Sequence, residues 1–101
     1  EEVSQVSKAS KNEIYVDADR LQFPLEIRNY KDGERFYPMG MQGKKKLSKF
    51  FKDEKLSLLD KEKCLLLYSN NEVVWVINYR ADNRFKVTEK TNKILKITLQ
   101  D

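Results

Sequence analysis

The chain has no histidine. That removes the side chain most used as a general base near neutral pH, the commonest metal ligand, and every Ser-His-Asp arrangement. One cysteine, Cys64, leaves no internal disulfide and no cysteine-rich zinc site, and a lone thiol fits a reducing, cytoplasmic setting. No apolar run approaches the 18 or so residues that a membrane-spanning helix needs, and no signal or transit segment opens the chain. Proline occurs twice and glycine three times. With so few breakers, each one carries information. The chain opens Glu1-Glu2-Val3 without an initiating methionine, which reads as part of a longer protein.

What is present fits one small domain. The 101 residues are 40% hydrophobic and 36% charged, and regular apolar runs argue against disorder. The net charge is +4. Residues 26–55 hold nine Lys/Arg against five Asp/Glu, while the remaining residues balance at eleven of each. The whole excess therefore sits in one stretch, a pattern that suits a polyanionic partner.

Residues 1–12 are mostly polar and read as a linker or frayed end, with the domain over 13–101. Glu13–Asp17 reads as a strand. Leu25–Asn29 reads as a half-buried strand with Leu25 and Ile27 inward. Gly33, Gly40, Gly43 and Pro38 fall within eleven residues and mark turns. Lys44–Glu54 reads as an amphipathic helix, with Leu47, Phe50 and Phe51 on one face and Lys45, Lys49 and Lys52 opposite. Ser57 and Asp60 resemble a capping box for a second short helix ending near Lys63. Cys64–Ser69 and Glu72–Asn78 are apolar runs joined by Asn70-Asn71, a β-hairpin signature. The second run should place Val73, Trp75 and Ile77 on one face and Val74 and Val76 on the other. With both faces apolar, it should be central and covered on both sides. Ile94–Leu99 is a final strand. The predicted class is α+β: a small mixed sheet with a central β-hairpin and one or two short amphipathic helices.

Gly40–Lys46 invites comparison with a nucleotide-binding phosphate loop, but Pro38 stands where that motif needs its first glycine, and Lys45 where it needs Ser or Thr. A simpler arrangement survives: a close backbone approach at Gly43, a helix N-terminus, and Lys44, Lys45 and Lys46 beside it, together able to hold a nucleic-acid phosphate. The alternative is a solvated helix face. Arg35, Phe36 and Tyr37 share the loop, the aromatics serving either as core plugs or as base-stacking groups. Arg80 and Arg84 either extend the basic surface or pair with Asp82 and other acids. Asp17, Asp19, Asp53 and Glu54 read as surface or capping carboxylates, and Cys64 as a buried small residue.

The order and spacing of two blocks resemble a known family, the C-terminal domain of bacterial tRNA(Ile)-lysidine synthetase. In the first block, Arg28, Gly33, Arg35, Pro38, Gly40, Gly43, Lys45, Lys46, Leu47, Phe51, Asp53 and Lys55 fall on the family's positions. In the second, Val73–Ile77, Tyr79, Arg80, Arg84, Phe85 and Lys86 do. The resemblance spans roughly Ile14–Leu99. Glu34 replaces the usual Asp, Lys61 an Arg, Ser57 and Leu65 frequent prolines, and Asn78 a Gly.

The resemblance implies the tRNA-binding portion of a ligase that uses ATP to join lysine to the wobble cytidine of an isoleucine tRNA with a CAU anticodon. It also implies that ATP with Mg belongs to an N-terminal catalytic domain whose S-G-G-x-D-S loop has no counterpart here. No cofactor, metal or catalytic residue is expected in this chain. Its expected partners are the acceptor-stem side of tRNA and that catalytic domain, with no membrane. The residues proposed to meet RNA are Arg28, Arg35, Lys44, Lys45, Lys46, Lys49, Lys52, Arg80 and Arg84. The competing expectations are a protein-interaction or interdomain module and, less suited to the apolar surface available, an anionic-membrane binder.

Overall fold

A computed structural model describes residues 1–100. Nine strands and two α-helices follow in the order β1 (Glu2–Val3), β2 (Glu13–Asp17), β3 (Glu26–Arg28), β4 (Arg35–Phe36), β5 (Lys45–Lys46), α1 (Leu47–Asp53), α2 (Leu58–Lys63), β6 (Leu66–Ser69), β7 (Glu72–Val76), β8 (Arg80–Ala81) and β9 (Ile94–Thr98). They form an α+β fold of three small sheets, ordered β1-β9-β2, β3-β6-β7-β8 and β4-β5, all paired antiparallel.

The four-stranded sheet is the middle layer. On one face, Leu66, Tyr68, Val73 and Val76 pack with Phe36 and with Leu47, Phe50 and Phe51 of α1. On the other, Leu67, Val74, Trp75 and Ile77 pack with Ile14 and Val16 of β2 and with Phe85. The predicted central hairpin is therefore buried on both faces. Asn70 and Asn71 turn it with φ of 49° and 64°, the left-handed pair that a tight type I′ turn requires. Strict alternation fails at one point. Tyr68 lies opposite Val73 and Leu67 opposite Trp75, so Val74 is an extra residue, and it joins Trp75 and Ile77 on the second face. A bulge of this kind cannot be read from a period of two.

The helix α1 presents Leu47, Phe50 and Phe51 to the core as its periodicity predicts. Their rings interlock: Phe36 meets Phe50 at 5.1 Å edge-on, and Tyr30 meets Phe51 at 5.1 Å. Ser57 Oγ accepts the Asp60 N–H and starts α2 where expected.

Four local expectations are corrected. First, the helix does not begin at Lys44. Lys45 and Lys46 form a strand against Arg35–Phe36, because that pairing buries Phe36 over α1. Second, Ile27 is half exposed, and Arg28 is the β3 residue packed inward, over the Tyr68 ring. Third, the N-terminal segment is not frayed throughout, since Glu2 and Val3 pair with Leu95 and Ile94. Fourth, the alternation expected along β7 breaks at Val74, as described above.

Candidate nucleic-acid interface

The basic segment is shaped by the loop between β4 and β5. Arg35 pairs with Lys46 and Phe36 with Lys45, so residues 37–44 must reverse direction between them. Gly40 and Gly43 make the reversal with φ of +82° and +77°, a region closed to most side chains. A Cβ at Gly43 would meet no atom of the protein within 4 Å, so within the fold Gly43 is needed for its backbone angle rather than for packing space.

The loop is pinned by β8 and the turn after it. Met39 N–H donates to Ala81 O at 2.9 Å, and Asn83 N–H to Tyr37 O at 2.7 Å. Tyr37 N–H donates to Asp82 Oδ2 at 2.8 Å, and Arg80 Nη1 to Met39 O at 2.9 Å. Asp82 is buried, and its carboxylate also accepts the Arg84 backbone N–H and two guanidinium contacts. A buried carboxylate with this many donors is fully compensated.

On the outer side of the loop, Arg35, Lys44, Lys45, Lys46 and Lys49 line a groove of about 340 Å³ with Pro38, Met41 and Gln42. Among the described residues no carboxylate lines it. Arg35, Lys44, Lys46 and Lys49 are exposed. Lys45 differs. Its stem is largely covered and its ammonium bonds the Asp53 carboxylate across α1. That bond, helped by Lys49 and Lys52 and opposed by slight desolvation, holds the Asp53 carboxyl below its usual range. Lys52 is exposed on α1 and does not line the groove.

The helix starts three residues later than expected, and the three lysines still adjoin its first turn. With β5 in place, α1 has seven residues, its N-cap Lys46 makes no side-chain cap bond, and the Leu47 N–H is taken by Glu34 O at 3.0 Å. The cations are gathered by a strand, a loop and a helix face together rather than by one helix.

The three other arginines proposed to meet RNA, Arg28, Arg80 and Arg84, do not line the groove. Arg28 grips Glu34 through two contacts at 2.7 and 3.2 Å, meets Glu26 at 2.8 Å, and stacks 3.7 Å from the Tyr68 ring centroid. Arg84 is bound to Asp82 and Glu72, with Tyr37 4.6 Å beneath it. Both guanidiniums are spent on internal carboxylates, the pairing reading of Arg84 rather than the free-surface one. Among the described residues, the Arg80 guanidinium has only its bond to Met39 O.

Glu34 centres a small network. Burial pushes its carboxyl up, but Arg28, the Lys31 N–H and the Tyr68 hydroxyl outweigh that and hold it below the usual range. Tyr68 Oη donates to Glu34 Oε1 at 2.7 Å, and burial together with that anion pushes the phenol up. Burial likewise raises the Cys64 thiol to about 11, so it is an inert packing group. Sequence reasoning did not pick out Gln42 and Met41 as groove-lining residues or Asp82 as the loop's anchor. Gln42, polar and set between two glycines, carried a usable signal; Asp82 did not, because its role depends on a long-range turn.

Against this geometry, a profile of the family described as "TilS substrate C-terminal domain" matches residues 25–98. The chain belongs to that family. Among relatives of the TilS C-terminal domain, a tRNA(Ile)-lysidine synthase of Parabacteroides distasonis is 46% identical over 86 residues, covering 85% of this chain and 20% of the relative. One of Caldanaerobacter subterraneus is 38% identical over 98 residues, covering 95% of this chain and 21% of the relative. The chain thus spans about a fifth of the length of the curated relatives it matches. A crystal structure of a TilS C-terminal domain superposes with a TM-score of 0.74 at 18% identity, over all of this chain and 81% of the other, which establishes the shared fold. No described helix is long and apolar enough to cross a membrane.

Proposed function

We propose that this TilS C-terminal domain binds tRNA by gripping phosphates along the groove between Arg35 and Lys49, as the substrate-recognition part of a tRNA(Ile)-lysidine synthase. One observation carries the reading. Five cations from β4, the loop, β5 and α1 converge on one groove that, among the described residues, no carboxylate lines, and Lys45 alone of the five is ion-paired there. Five cations with one paired carboxylate, Asp53, beside them keep an excess of positive charge, repel one another and are stabilised by a polyanion. Closely spaced phosphates of A-form RNA meet that requirement, and flexible lysines suit phosphate contact. The relatives' name supports tRNA as the source of those phosphates.

In this reading the domain works in the cytoplasm and contacts the acceptor-stem side. The rest of the synthase, about four fifths of the relatives' length, joins lysine to the wobble cytidine of the CAU-anticodon tRNA using ATP and Mg held in its own catalytic domain. This chain alone leaves that cytidine unmodified.

The test is fluorescence anisotropy with a transcript of that tRNA. Lys44→Glu/Lys49→Glu should weaken binding at least about tenfold. Lys90→Glu/Lys93→Glu, the same charge change at exposed lysines outside the groove, should weaken it by less than about threefold. Equal effects from the two pairs would refute the groove and return the domain to a protein-interaction role.

A further inference from the structure

Behind the loop that walls the basic groove lies a cleft of different chemistry. Its volume is about 460 Å³, and Val6, Ile14, Tyr15, Met39, Ala81 and Val87 supply its apolar lining. The two recesses share the loop as a common wall: Pro38 lines the groove, and Met39 lines the cleft. Adjacent α-carbons are about 3.8 Å apart, so only the thickness of the loop separates the two recesses.

Tyr15 is held in β2, and its hydroxyl lies 2.7 Å from Ser7 Oγ. The one carboxylate at the cleft, Glu13, is neutralised by Lys96 Nζ at 3.0 Å. A smaller recess that shares Glu13, Ile14 and Ala81 with the cleft continues to Arg80. Arg80 spends one N–H on Met39 O and has no carboxylate partner among the described residues. Four of its five donors stay unspent.

An apolar slot with an aromatic wall, next to an unneutralised guanidinium, matches a single nucleotide. The base has a flat face to bury, and the phosphodiester has a charge to balance. A base inside a duplex has both faces stacked and cannot enter. We propose that the cleft takes the base of one unpaired nucleotide, its phosphodiester on Arg80, from an RNA strand whose duplex portion lies in the groove; this rests on reading the groove as an RNA surface. The loop from Tyr37 to Lys44 then separates duplex from single strand.

The experiment compares two RNA probes by anisotropy: a blunt hairpin, and the same hairpin with a short single-stranded adenosine overhang. The overhang should tighten binding by about fivefold or more. Val6→Glu puts a carboxylate at the mouth of the cleft. Because Val6 is 49% exposed, the change leaves the core intact. It should remove the overhang's gain and leave blunt-hairpin affinity within about twofold. Tyr15→Leu, which adds no charge, should remove most of the gain as well, which separates base stacking from simple attraction of extra phosphates. No binding of either probe would sink the groove reading. Blunt binding with no gain from the overhang, or a gain that survives both variants, would overturn the cleft.

Discussion

The residues most tempting as RNA ligands divide by what their charges already touch. Arg28 and Arg84 carry the same guanidinium as Arg35, yet their partners Glu34, Glu26, Asp82 and Glu72 lie within 3.2 Å. Sequence spacing shows that a cation exists, not which carboxylate the fold brings to it. That is why nine candidates were legible in the sequence while the five that share a groove were not separable from the rest. Glu34 offers a direct check. Its folded-state carboxyl sits below the ordinary value of 4.5, so it contributes stability that is complete above that value and lost as pH falls through the lower, folded one. Glu34→Gln, which strips charge from the Arg28 and Tyr68 contacts, should lower stability at pH 7 by roughly 1–3 kcal/mol in urea titrations. The gap between parent and variant should shrink below about pH 4. A gap that stays constant into acid would mean that the Glu34 charge is not what the network uses.

Elements with many residues in one period were legible; elements of two residues were not. β2 and β9, the hairpin and α2 were expected nearly where they lie, because alternation, Asn-Asn and a Ser cap are local signals. The 3.6-residue period of Leu47, Phe50 and Phe51 extends backward over Lys45–Lys46 with nothing to stop it, so the strand there is hidden in a helical pattern. A two-residue strand has no period, and its partner Arg35–Phe36 is ten residues away. Helix ends give a sharper test. Leu56 N–H bonds Phe51 O and Lys55 N–H bonds Lys52 O, closing α1 in a Schellman turn that forces Lys55 to a φ of 60°. Asn78, standing where the family pattern has Gly, has a φ of 73°. Glycine takes both angles without steric cost, so Lys55→Gly and Asn78→Gly should each hold or raise stability, by up to about 1 kcal/mol. Asn78→Val should lose about 1–2 kcal/mol. Calorimetric melting of the three variants decides it, and a valine variant as stable as the glycine one would contradict the assigned backbone.

At the scale of the molecule, the central sheet separates two jobs. One face, with α1 and β4, builds the basic groove; the other seats β2 and with it the wall of the apolar cleft. The segment from Arg80 to Arg84 ties the loop between them, which explains why the second sequence block accompanies the first although it supplies no groove residue. In the proposed function, Lys44, Lys46 and Lys49 replace counterions on RNA phosphates. Each phosphate neutralised contributes about 0.7–0.9 to the slope of log affinity against log salt. The decisive measurement is a salt titration of tRNA binding for the parent and for Lys46→Ala/Lys49→Ala. Both lysines are exposed and form no ion pair among the described residues, so the melting temperature should hold. The slope should flatten by roughly 1–2, equally for tRNA and for an unrelated RNA duplex, since phosphate contacts position without reading sequence. An unchanged slope in a variant that melts like the parent would place the RNA surface elsewhere on the domain.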